Sequence, residues 1–260
     1  MGIVNVTPDS FSDGGDFYAP TQAIEHGLRL LKEGADILDI GGESTRPNAS
    51  VVSAAEEMER VLPVIAGLAG KAPYISIDTR NAETMKEAVK FGANLINDVS
   101  GLRHDPESVS VAAQGGVPVC IMHMKGTPQD MQNRPTYDNV VDEILSFFEE
   151  RIEYCLKNGV TTDKIIIDPG IGFGKTLEHN LSILKNLKQF QKFGCPVLLG
   201  ASRKSFVGAL SQGQGAQSRL AGSLAAALSG VDNGAQIFRV HDVQETKQAF
   251  DVHQAICSAG

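Results

Sequence analysis

Eight short runs of predominantly apolar residues recur along the chain, and each has the length and composition of a β-strand. Because the runs are almost continuously apolar rather than alternating, they predict strands that are buried on both faces of a parallel sheet. Amphipathic segments with helical periodicity lie between them. The predicted strands are residues 2–6, 36–41, 74–78, 94–99, 117–123, 164–168, 196–200 and 236–240.

The regular alternation of strand and helix fixes the expected fold class, which is α/β. Eight such units in 260 residues match the size of a (β/α)₈ TIM barrel. A doubly wound open sheet is the alternative, but eight regular units favour closure. No linker, low-complexity tract or change in composition interrupts the chain, so residues 1–260 are predicted to form a single domain.

Helix boundaries are indicated by local signals. The apolar stripe of Ile24, Leu28 and Leu31 stops at Gly34, and a second stripe from Val140 to Cys155 stops at Gly159. Gly34, Gly92 and Gly159 stand where helices end in glycine. Asp242 and Glu245 resemble a capping box that opens the last helix.

Composition narrows the classes of function. The formal net charge of −8 argues against general binding of nucleic acid or anionic membranes, so an anionic ligand would need a local basic cluster. Four scattered cysteines, Cys120, Cys155, Cys195 and Cys257, lie in or beside apolar segments and are expected to be buried and reduced. No apolar run approaches the roughly 20 residues of a membrane span, and the N-terminus lacks the pattern of a signal peptide. These features predict a cytoplasmic protein.

Polar residues follow nearly every predicted strand. A single one is usually a turn former, but in a parallel barrel the carboxyl ends of all strands form one face, where active sites lie. Asparagine and aspartate within apolar runs are costly to bury without partners, so they must meet each other or a polar ligand. The strand-end residues are Asn5, Glu43 to Arg46, Asp78, Asn97, Asp98, His123, Asp168, Ser202 to Ser205, and Arg239 to His241.

The segment "IIIDPGIGFGK" (165–175) raises the question of whether its glycines bind phosphate. A Walker A loop would need glycine where Pro169 stands, and a dinucleotide fingerprint would need glycine where Lys175 stands. Both phosphate-binding motifs are therefore excluded by register. The glycines are expected to let the backbone pass close to a flat ligand, and Asp168 is the better candidate for chemistry.

A pocket for a pterin-like heterocycle is predicted from four of the strand-end residues together with Phe173. Asp168 and Asp78 offer carboxylates to a planar N–H/NH₂ edge, and the Asn97 amide adds a further polar group. Lys204 supplies a cation for a ring carbonyl or nitrogen, and Phe173 an aromatic face. The alternative is that Asp78 or Asp168 forms an ion pair with Arg80 or Lys204.

A second group of residues predicts an anion site. Arg46, Arg239 and His241 bring basic side chains to the same face, and Asn5 offers a neutral oxygen of the kind that Mg²⁺ accepts beside phosphate oxygens. Together these residues would hold a diphosphate. In the alternative interpretation Arg46 is a solvated loop charge and His241 is a cap beside Asp242.

Several motifs together resemble the dihydropteroate synthase family. They are "MGIVNVTPDSFSDGG" (1–15), "DIGGESTRP" (39–47), "SIDT" (76–79), "INDVSG" (96–101), "IMHMKG" (121–126), "DPGIGFGK" (168–175), "GASRKS" (200–205) and "RVHD" (239–242). The resemblance runs from end to end in the same order. It implies a (β/α)₈ barrel, usually a homodimer, that joins 6-hydroxymethyl-7,8-dihydropterin diphosphate to 4-aminobenzoate and releases diphosphate and 7,8-dihydropteroate.

The resemblance also implies a role for each matching residue. Asp78, Asp168 and Lys204 are the expected catalytic residues, and Mg²⁺ is expected on Asn5. The loops "TPDSFSDGG" and "ESTRP" are expected to close over the substrates after strands 1 and 2. The expected substrate-binding residues are Asp78, Asn97, Met122, Asp168 and Lys204 for the pterin, Arg46, Arg239, Val240 and His241 towards the diphosphate, and Phe11, Thr45, Pro47, Phe173, Lys204 and Ser205 around the aminobenzoate.

Two rival functions share part of this pattern. A methyltransferase barrel that passes a methyl group from folate to a corrinoid protein has similar pterin-binding carboxylates, but it does not need "SFSDGG", "SRKS" or "RVHD". A catalytically silent pterin-binding subunit would have lost Lys204, Arg239 or His241, which are all present.

Two further expectations follow from the resemblance. Residues 9–17 and 43–50 are ordinary for the family, which predicts sensitivity to sulfonamides, because these drugs imitate aminobenzoate. Family members usually carry a short segment before strand 1 that covers the barrel floor. Here Met1 directly precedes that strand, so the segment is either absent or trimmed from the sequence.

Overall fold

The computed structural model describes residues 1–7, 19–44, 52–127, 131 and 135–259. All eight predicted strands are found in these ranges, and most are slightly shorter than predicted. They are β1 (Gly2–Asn5), β2 (Ile37–Gly41), β3 (Tyr74–Asp78), β4 (Leu95–Asp98), β5 (Val119–Met122), β6 (Ile165–Asp168), β7 (Leu198–Leu199) and β8 (Ile237–Phe238).

The helices follow the strands as predicted, except that two α-helices rather than one come between β7 and β8. They are α1 (Ala19–Lys32), α2 (Ala54–Leu68), α3 (Ala82–Phe91), α4 (Ser108–Gly115), α5 (Val140–Lys157), α6 (Leu177–Lys185), α7 (Ser205–Leu210), α8 (Leu220–Asp232) and α9 (Val243–Cys257).

The strands follow one another around a (β/α)₈ barrel. Strands β1 to β6 pair in sequence order, all parallel, and β7 pairs in parallel with β8. Single parallel bridges link the two sheets at both edges, Ile167 with Val197 and Gly2 with Val240. At the second junction the Ile3 N–H donates to the Val240 carbonyl at 3.1 Å. The expected barrel is confirmed, with the last strand lying beside the first.

Strand β5 shows how the sequence divides the barrel interior from the helical layer. Side chains alternate along a strand, so Val119 and Ile121 point to the main core between sheet and helices. Cys120 points inward to a small cluster at the bottom of the barrel. Met122 points inward to another at its mouth. The apolar run is therefore continuous because both faces are buried.

Helix α5 illustrates how the outer layer is held. The Asn139 side chain caps its first turn by accepting from the Val141 N–H at 3.0 Å. Phe148 is fully buried and meets Phe190 edge to face, with ring centroids 5.9 Å apart. Burial of one such side chain contributes about 1.5–3 kcal/mol. Gly159, which follows the helix, has φ +89° as predicted.

The predicted capping box of α9 is wrong. Asp242 stands at the N-cap position, but its side chain makes no capping hydrogen bond. The carboxylate instead pairs with Arg203, whose Nε donates to Asp242 Oδ2 at 3.0 Å. A charge-assisted contact with a distant residue has displaced the local one.

All four cysteines are free thiols, as predicted. Cys120, Cys155 and Cys195 are buried, but the prediction is wrong for Cys257, which is exposed near the end of α9. Among the described residues, no helix is both long enough and apolar enough to cross a membrane.

Candidate active site

The parallel register places the polar strand ends at one level of the barrel mouth. Each residue at the end of one strand pairs with the end of the next, so their side chains surround a common space. The partners run Asn5–Gly41–Asp78–Asn97 across β1 to β4, and Met122–Asp168 across β5 and β6.

Arg239 joins two carboxylates across this mouth. Its Nε donates to Asp39 Oδ2 at 2.5 Å, and its Nη2 donates to Asp78 Oδ2 at 2.7 Å. Asp39, fully buried in the middle of β2, also accepts from Asn97 Nδ2 at 3.2 Å. Burial raises the pKa of Asp78, and the charge of Arg239 opposes that rise. The arrangement rigidly orients Asp78 and Asn97.

The ion pairs proposed as the alternative are not the ones formed. Arg80 pairs with Glu43, with Nη2 to Oε1 at 2.9 Å. Asp168 and Lys204 do not approach to within 4.0 Å of an opposite charge in the described part of the chain. Asp78 is paired, but with Arg239.

The loop from β6 to α6 packs directly on the end of β5. Gly170, Gly172 and Gly174 all have left-handed φ, at +71°, +83° and +64°. A Cβ on Gly170 would lie 2.0 Å from the His123 carbonyl oxygen, and one on Gly174 would lie 2.3 Å from that of Lys125. These two glycines therefore permit close approach of the chain to itself. For Gly172, the close approach of the backbone to a flat ligand stays a prediction.

Asp168 enters the mouth from this loop. Its Oδ1 accepts from the Gly170 N–H at 2.7 Å, which fixes the carboxylate. Burial raises the pKa of Asp168, while the Gly170 hydrogen bond and the charges of Lys204 and Lys175 oppose the rise. A carboxylate held in this way keeps its second oxygen for a ligand.

Lys204 and Phe173 form the apolar and cationic wall of the mouth. The Lys204 ammonium lies 4.1 Å from the centroid of the Phe173 ring. Burial, and then the charge of Arg239, lowers the pKa of Lys204 to about 8. Phe173 packs on a separate cluster of buried side chains, which is Val99, Met122, Met124 and Met131.

Four polar atoms at the mouth make no hydrogen bond with the described residues. These atoms form a ring around the barrel mouth and are Asp78 Oδ1, Asn97 Oδ1, Asp168 Oδ2 and Lys204 Nζ. The hydrogen bonds of Asp78, Asn97 and Asp168 use other side-chain atoms, and Lys204 Nζ lies over Phe173. Three oxygen acceptors and one cationic donor beside an apolar floor suit a flat heterocycle that carries amino, N–H and carbonyl groups on its edge.

His241 is held neutral rather than cationic. Its Nδ1 lies 3.0 Å from Ser202 Oγ, which also accepts from the His241 N–H at 3.2 Å. Burial, followed by the charges of Arg203 and Arg239, lowers the pKa of His241 to about 4. A serine hydroxyl that donates to Nδ1 leaves the ring proton on Nε2. The interpretation of His241 as a cap beside Asp242 is wrong, because its partner is Ser202.

The other predicted residues occupy different positions. Asn5 is partly buried at the end of β1, Ser205 is exposed at the start of α7, and Val240 is buried in the main core. Their substrate or metal contacts stay predictions. The predicted residues Phe11, Thr45, Arg46 and Pro47 lie outside the described residues.

Two functional candidates escaped the sequence interpretation. Asp39 lies in the middle of a strand and not at its end, although an aspartate within "ILDIG" was itself a signal. Lys175 was considered only as the residue that breaks a nucleotide motif, and yet its ammonium is buried and donates to His123.

Comparison with known proteins identifies the family. Residues 1–241 match the family described as "Pterin binding enzyme". The dihydropteroate synthase of Escherichia coli (strain K12) is 47% identical over 260 residues, which cover 100% of this chain and 92% of that protein.

Two solved structures of the Xanthomonas albilineans dihydropteroate synthase have the same fold. The one with 4-aminobenzoic acid superimposes with a TM-score of 0.94 at 46% identity, covering 100% of this chain and 93% of the other. The complex with 7,8-dihydropteroate gives 0.91 at 44% identity, covering 100% and 94%. The chain therefore belongs to the dihydropteroate synthase family of pterin-binding enzymes.

Proposed function

We propose that this protein is a dihydropteroate synthase, a transferase of folate biosynthesis. It joins 6-hydroxymethyl-7,8-dihydropterin diphosphate to 4-aminobenzoate and releases diphosphate. The observation that carries this proposal is the ring of four polar atoms at the barrel mouth, on Asp78, Asn97, Asp168 and Lys204, which make no hydrogen bonds with the residues that the structure describes.

The pterin ring lies across the mouth in this proposal. Its amino and N–H edge donates to the free oxygen of Asp168, and Asp78 and Asn97 accept from the opposite side. Lys204 donates to a ring carbonyl or nitrogen. Met122 and Phe173 provide the apolar surface under and beside the ring.

The diphosphate lies between Arg239 and His241. Arg239 uses Nε and Nη2 for carboxylates, so its Nη1 donates no hydrogen bond to any described residue. Neutral His241 donates from Nε2 to a phosphate oxygen. Arg46 is proposed to add a second positive charge.

The residues at the end of β1 fit Mg²⁺ that arrives with the diphosphate. The Asn5 side chain makes no hydrogen bond to another described residue, and Asn5 pairs with Gly41, which brings no side chain of its own. No group of three acidic, histidine or cysteine side chains suited to a metal is present in the described ranges. A neutral oxygen plus phosphate oxygens and waters is a donor set that Mg²⁺ accepts. What Mg²⁺ supplies when bound is neutralisation of the charge that grows on the leaving diphosphate.

The reaction is a dissociative substitution. The C–O bond to diphosphate breaks first, and the cation left on the pterin methylene is stabilised by the ring and by Asp78 and Asp168. The amine of 4-aminobenzoate, bordered by Phe173, Lys204 and Ser205 and by Phe11, Thr45 and Pro47, then forms the C–N bond and loses a proton to solvent. Positioning carries the catalysis, and no covalent enzyme intermediate is needed.

Four properties accompany this proposal as predictions. Residues 1–260 form one pterin-binding barrel domain, the protein is cytoplasmic, and sulfonamides compete with aminobenzoate. The protein is also predicted to be a homodimer. An apolar groove between α6, α7 and α8 supports the dimer, because it leaves Leu181 and Leu210 exposed at its rim. Sedimentation analysis of the wild type and of Leu210→Glu tests whether the protein is a dimer that forms through this groove.

The test of the function is release of diphosphate from the dihydropterin diphosphate with Mg²⁺, measured with and without 4-aminobenzoate. Dihydropteroate formed in the same amount as diphosphate, and only when aminobenzoate is present, is the expected result. Tight binding of the pterin with no release and no product would overturn the proposal in favour of a silent binding subunit or a methyltransferase-like barrel.

A further inference from the structure

Lys175 is a buried cation with no carboxylate partner among the described residues. Its residue is 3% exposed, and no ion pair joins it to any acidic residue that the structure describes. Its Nζ lies 3.0 Å from His123 Nδ1, 3.2 Å from the His123 carbonyl oxygen and 3.0 Å from the Phe173 carbonyl oxygen. An ammonium has three protons, so these three acceptors use all of them.

These hydrogen bonds tie the β6–α6 loop to the end of β5. Gly170 already lies against the His123 carbonyl, and the His123 N–H donates to the Asp168 carbonyl at 2.9 Å. Lys175 completes the junction from the far end of the loop. The loop carries Asp168 at its start and Phe173 near its end, so the junction sets the position of both.

The second consequence is electrostatic. Arg239 forms its ion pairs with Asp39 and Asp78, and its charge acts on Asp168 less than those of Lys204 and Lys175 do. The charges of Lys204 and Lys175 oppose the rise that burial imposes on the pKa of Asp168. Burial lowers the pKa of Lys175 itself to about 7, although Asp168 opposes that change.

We propose that Lys175 is a positioning residue of the pterin pocket: its ammonium fixes the β6–α6 loop on β5 and supplies positive charge that keeps Asp168 ionised. It acts on the pterin through Asp168 and Phe173 and does not touch it. The proposal rests on the proposed function, because it needs a pterin that pairs with ionised Asp168.

The charged groups that face Lys175 define the pH range of the test. They are Asp168 from β6, Lys204 from the β7–α7 loop, and His123 just after β5, which itself faces Arg103 and Lys125. Asp168 is also faced by Arg239, which follows β8. Below about pH 7 Lys175 is charged and its loss should matter most. Above that pH the wild-type lysine is largely neutral, so its loss removes little positive charge from beside Asp168.

The experiment measures the dissociation constant of unsubstituted pterin, by its fluorescence, for the wild type and for Lys175→Met. At about pH 6 the variant is expected to bind at least about tenfold more weakly, because Asp168 loses a nearby positive charge that favours its ionised form and the β6–α6 loop loses its hydrogen bonds to the end of β5. The ratio of the dissociation constant of the variant to that of the wild type is expected to be at least about threefold smaller at about pH 8 than at about pH 6. Titration of the pterin cancels, because the ratio is taken at each pH.

Two further variants separate charge from packing. Lys125→Met removes a neighbouring, partly exposed lysine that pairs with Glu143, and it is expected to leave the ratio near one at both pH values. Lys175→Arg keeps a permanent charge in a group of different shape. It is expected to bind more weakly than the wild type at about pH 6, but with little further loss on acidification.

A ratio for Lys175→Met below about two at about pH 6, or an equal ratio at both pH values, would overturn the proposal. If Lys175→Met does not fold, ¹⁵N NMR of the wild-type His123 ring decides, because a proton on Nδ1 at about pH 6 is incompatible with a donating ammonium. Wild-type turnover to dihydropteroate is measured beside these assays. Its absence would count against the proposed function, whereas turnover with an unaffected Lys175→Met variant counts only against this inference.

Discussion

The guanidinium of Arg239, just after the last strand of the barrel, donates to Asp39 in the middle of the second strand at 2.5 Å. Asp39 is fully buried, whereas the side chain of Arg239 is 23% exposed at the mouth. A buried carboxylate thus anchors a guanidinium that is partly exposed at the barrel mouth.

Replacement of this carboxylate should destabilise the fold. Asp39→Asn keeps the shape but removes the charge, and it should lower the free energy of unfolding by at least about 2 kcal/mol, because it leaves a buried cation with a single carboxylate. Chemical denaturation of the wild type and the variant measures this change in the free energy of unfolding. Asp251→Asn is the matched control, since it breaks an exposed pair with Lys247 and should change stability by less than about 0.5 kcal/mol. Equal effects of the two changes would contradict a structural role for the buried pair.

Loss of Lys204 should abolish turnover while leaving the fold intact. Its ammonium makes no hydrogen bond to the described residues and lies over Phe173. Lys204→Ala is therefore expected to keep the wild-type unfolding temperature but to lower kcat/KM at least about 100-fold, the scale seen when a pre-positioned donor is removed. Lys188→Ala, on an exposed lysine, is the control. Near-normal turnover in Lys204→Ala would remove the residue from the mechanism.

Gly170 should tolerate no side chain. A comparison with Gly213 isolates the contact, because φ is +71° at Gly170 and +74° at Gly213, while a Cβ at 213 meets nothing within 4 Å. Gly213→Ala should cost about 1 kcal/mol through backbone strain alone. Gly170→Ala should cost at least about 2 kcal/mol more, because its Cβ would displace the β5 backbone. Urea unfolding of both variants measures the difference, and similar losses would show that the close approach is unimportant.

Acidification should weaken the fold through His241. Its pKa is lowered from 6.5 to about 4, so between these values the unfolded state binds more protons than the folded state. The contribution of neutral His241 to the free energy of unfolding is complete above pH 6.5 and is lost as the pH falls towards 4. His241→Gln removes it, so the stability advantage of the wild type over the variant should shrink by up to about 3 kcal/mol on acidification. Parallel pH profiles of the two proteins would show that His241 is not held neutral.

The sequence predicted the structure correctly where the type of a residue depends only on its local surroundings. Continuous apolar runs predicted all eight strands, and polar residues at their ends predicted that Asp78, Asn97 and Asp168 share one face. The arithmetic of eight strand–helix units predicted the barrel, since the parallel connection of strands leaves few other arrangements.

Contacts between distant residues were not predictable in the same way. The position of Asp242 in the sequence predicts a helix cap, but its carboxylate accepts a hydrogen bond from Arg203, 39 positions away, instead. Asp39 and Arg239 are 200 positions apart, so only the closed barrel brings them together. Cys257 has apolar neighbours in sequence, but helix α9 turns it to solvent.

The bridge between β1 and β8 has a consequence for synthesis of the chain. Val240 pairs with Gly2, so nearly all of the residues between them must be synthesised after β1 before this edge of β1 is covered. Until then β1 exposes unpaired backbone groups that can recruit other strands. Contacts of such high sequence separation form late and slowly. A ribosome-stalled chain that ends before residue 236 should therefore bind holdase chaperones, and release should follow once the last strand emerges.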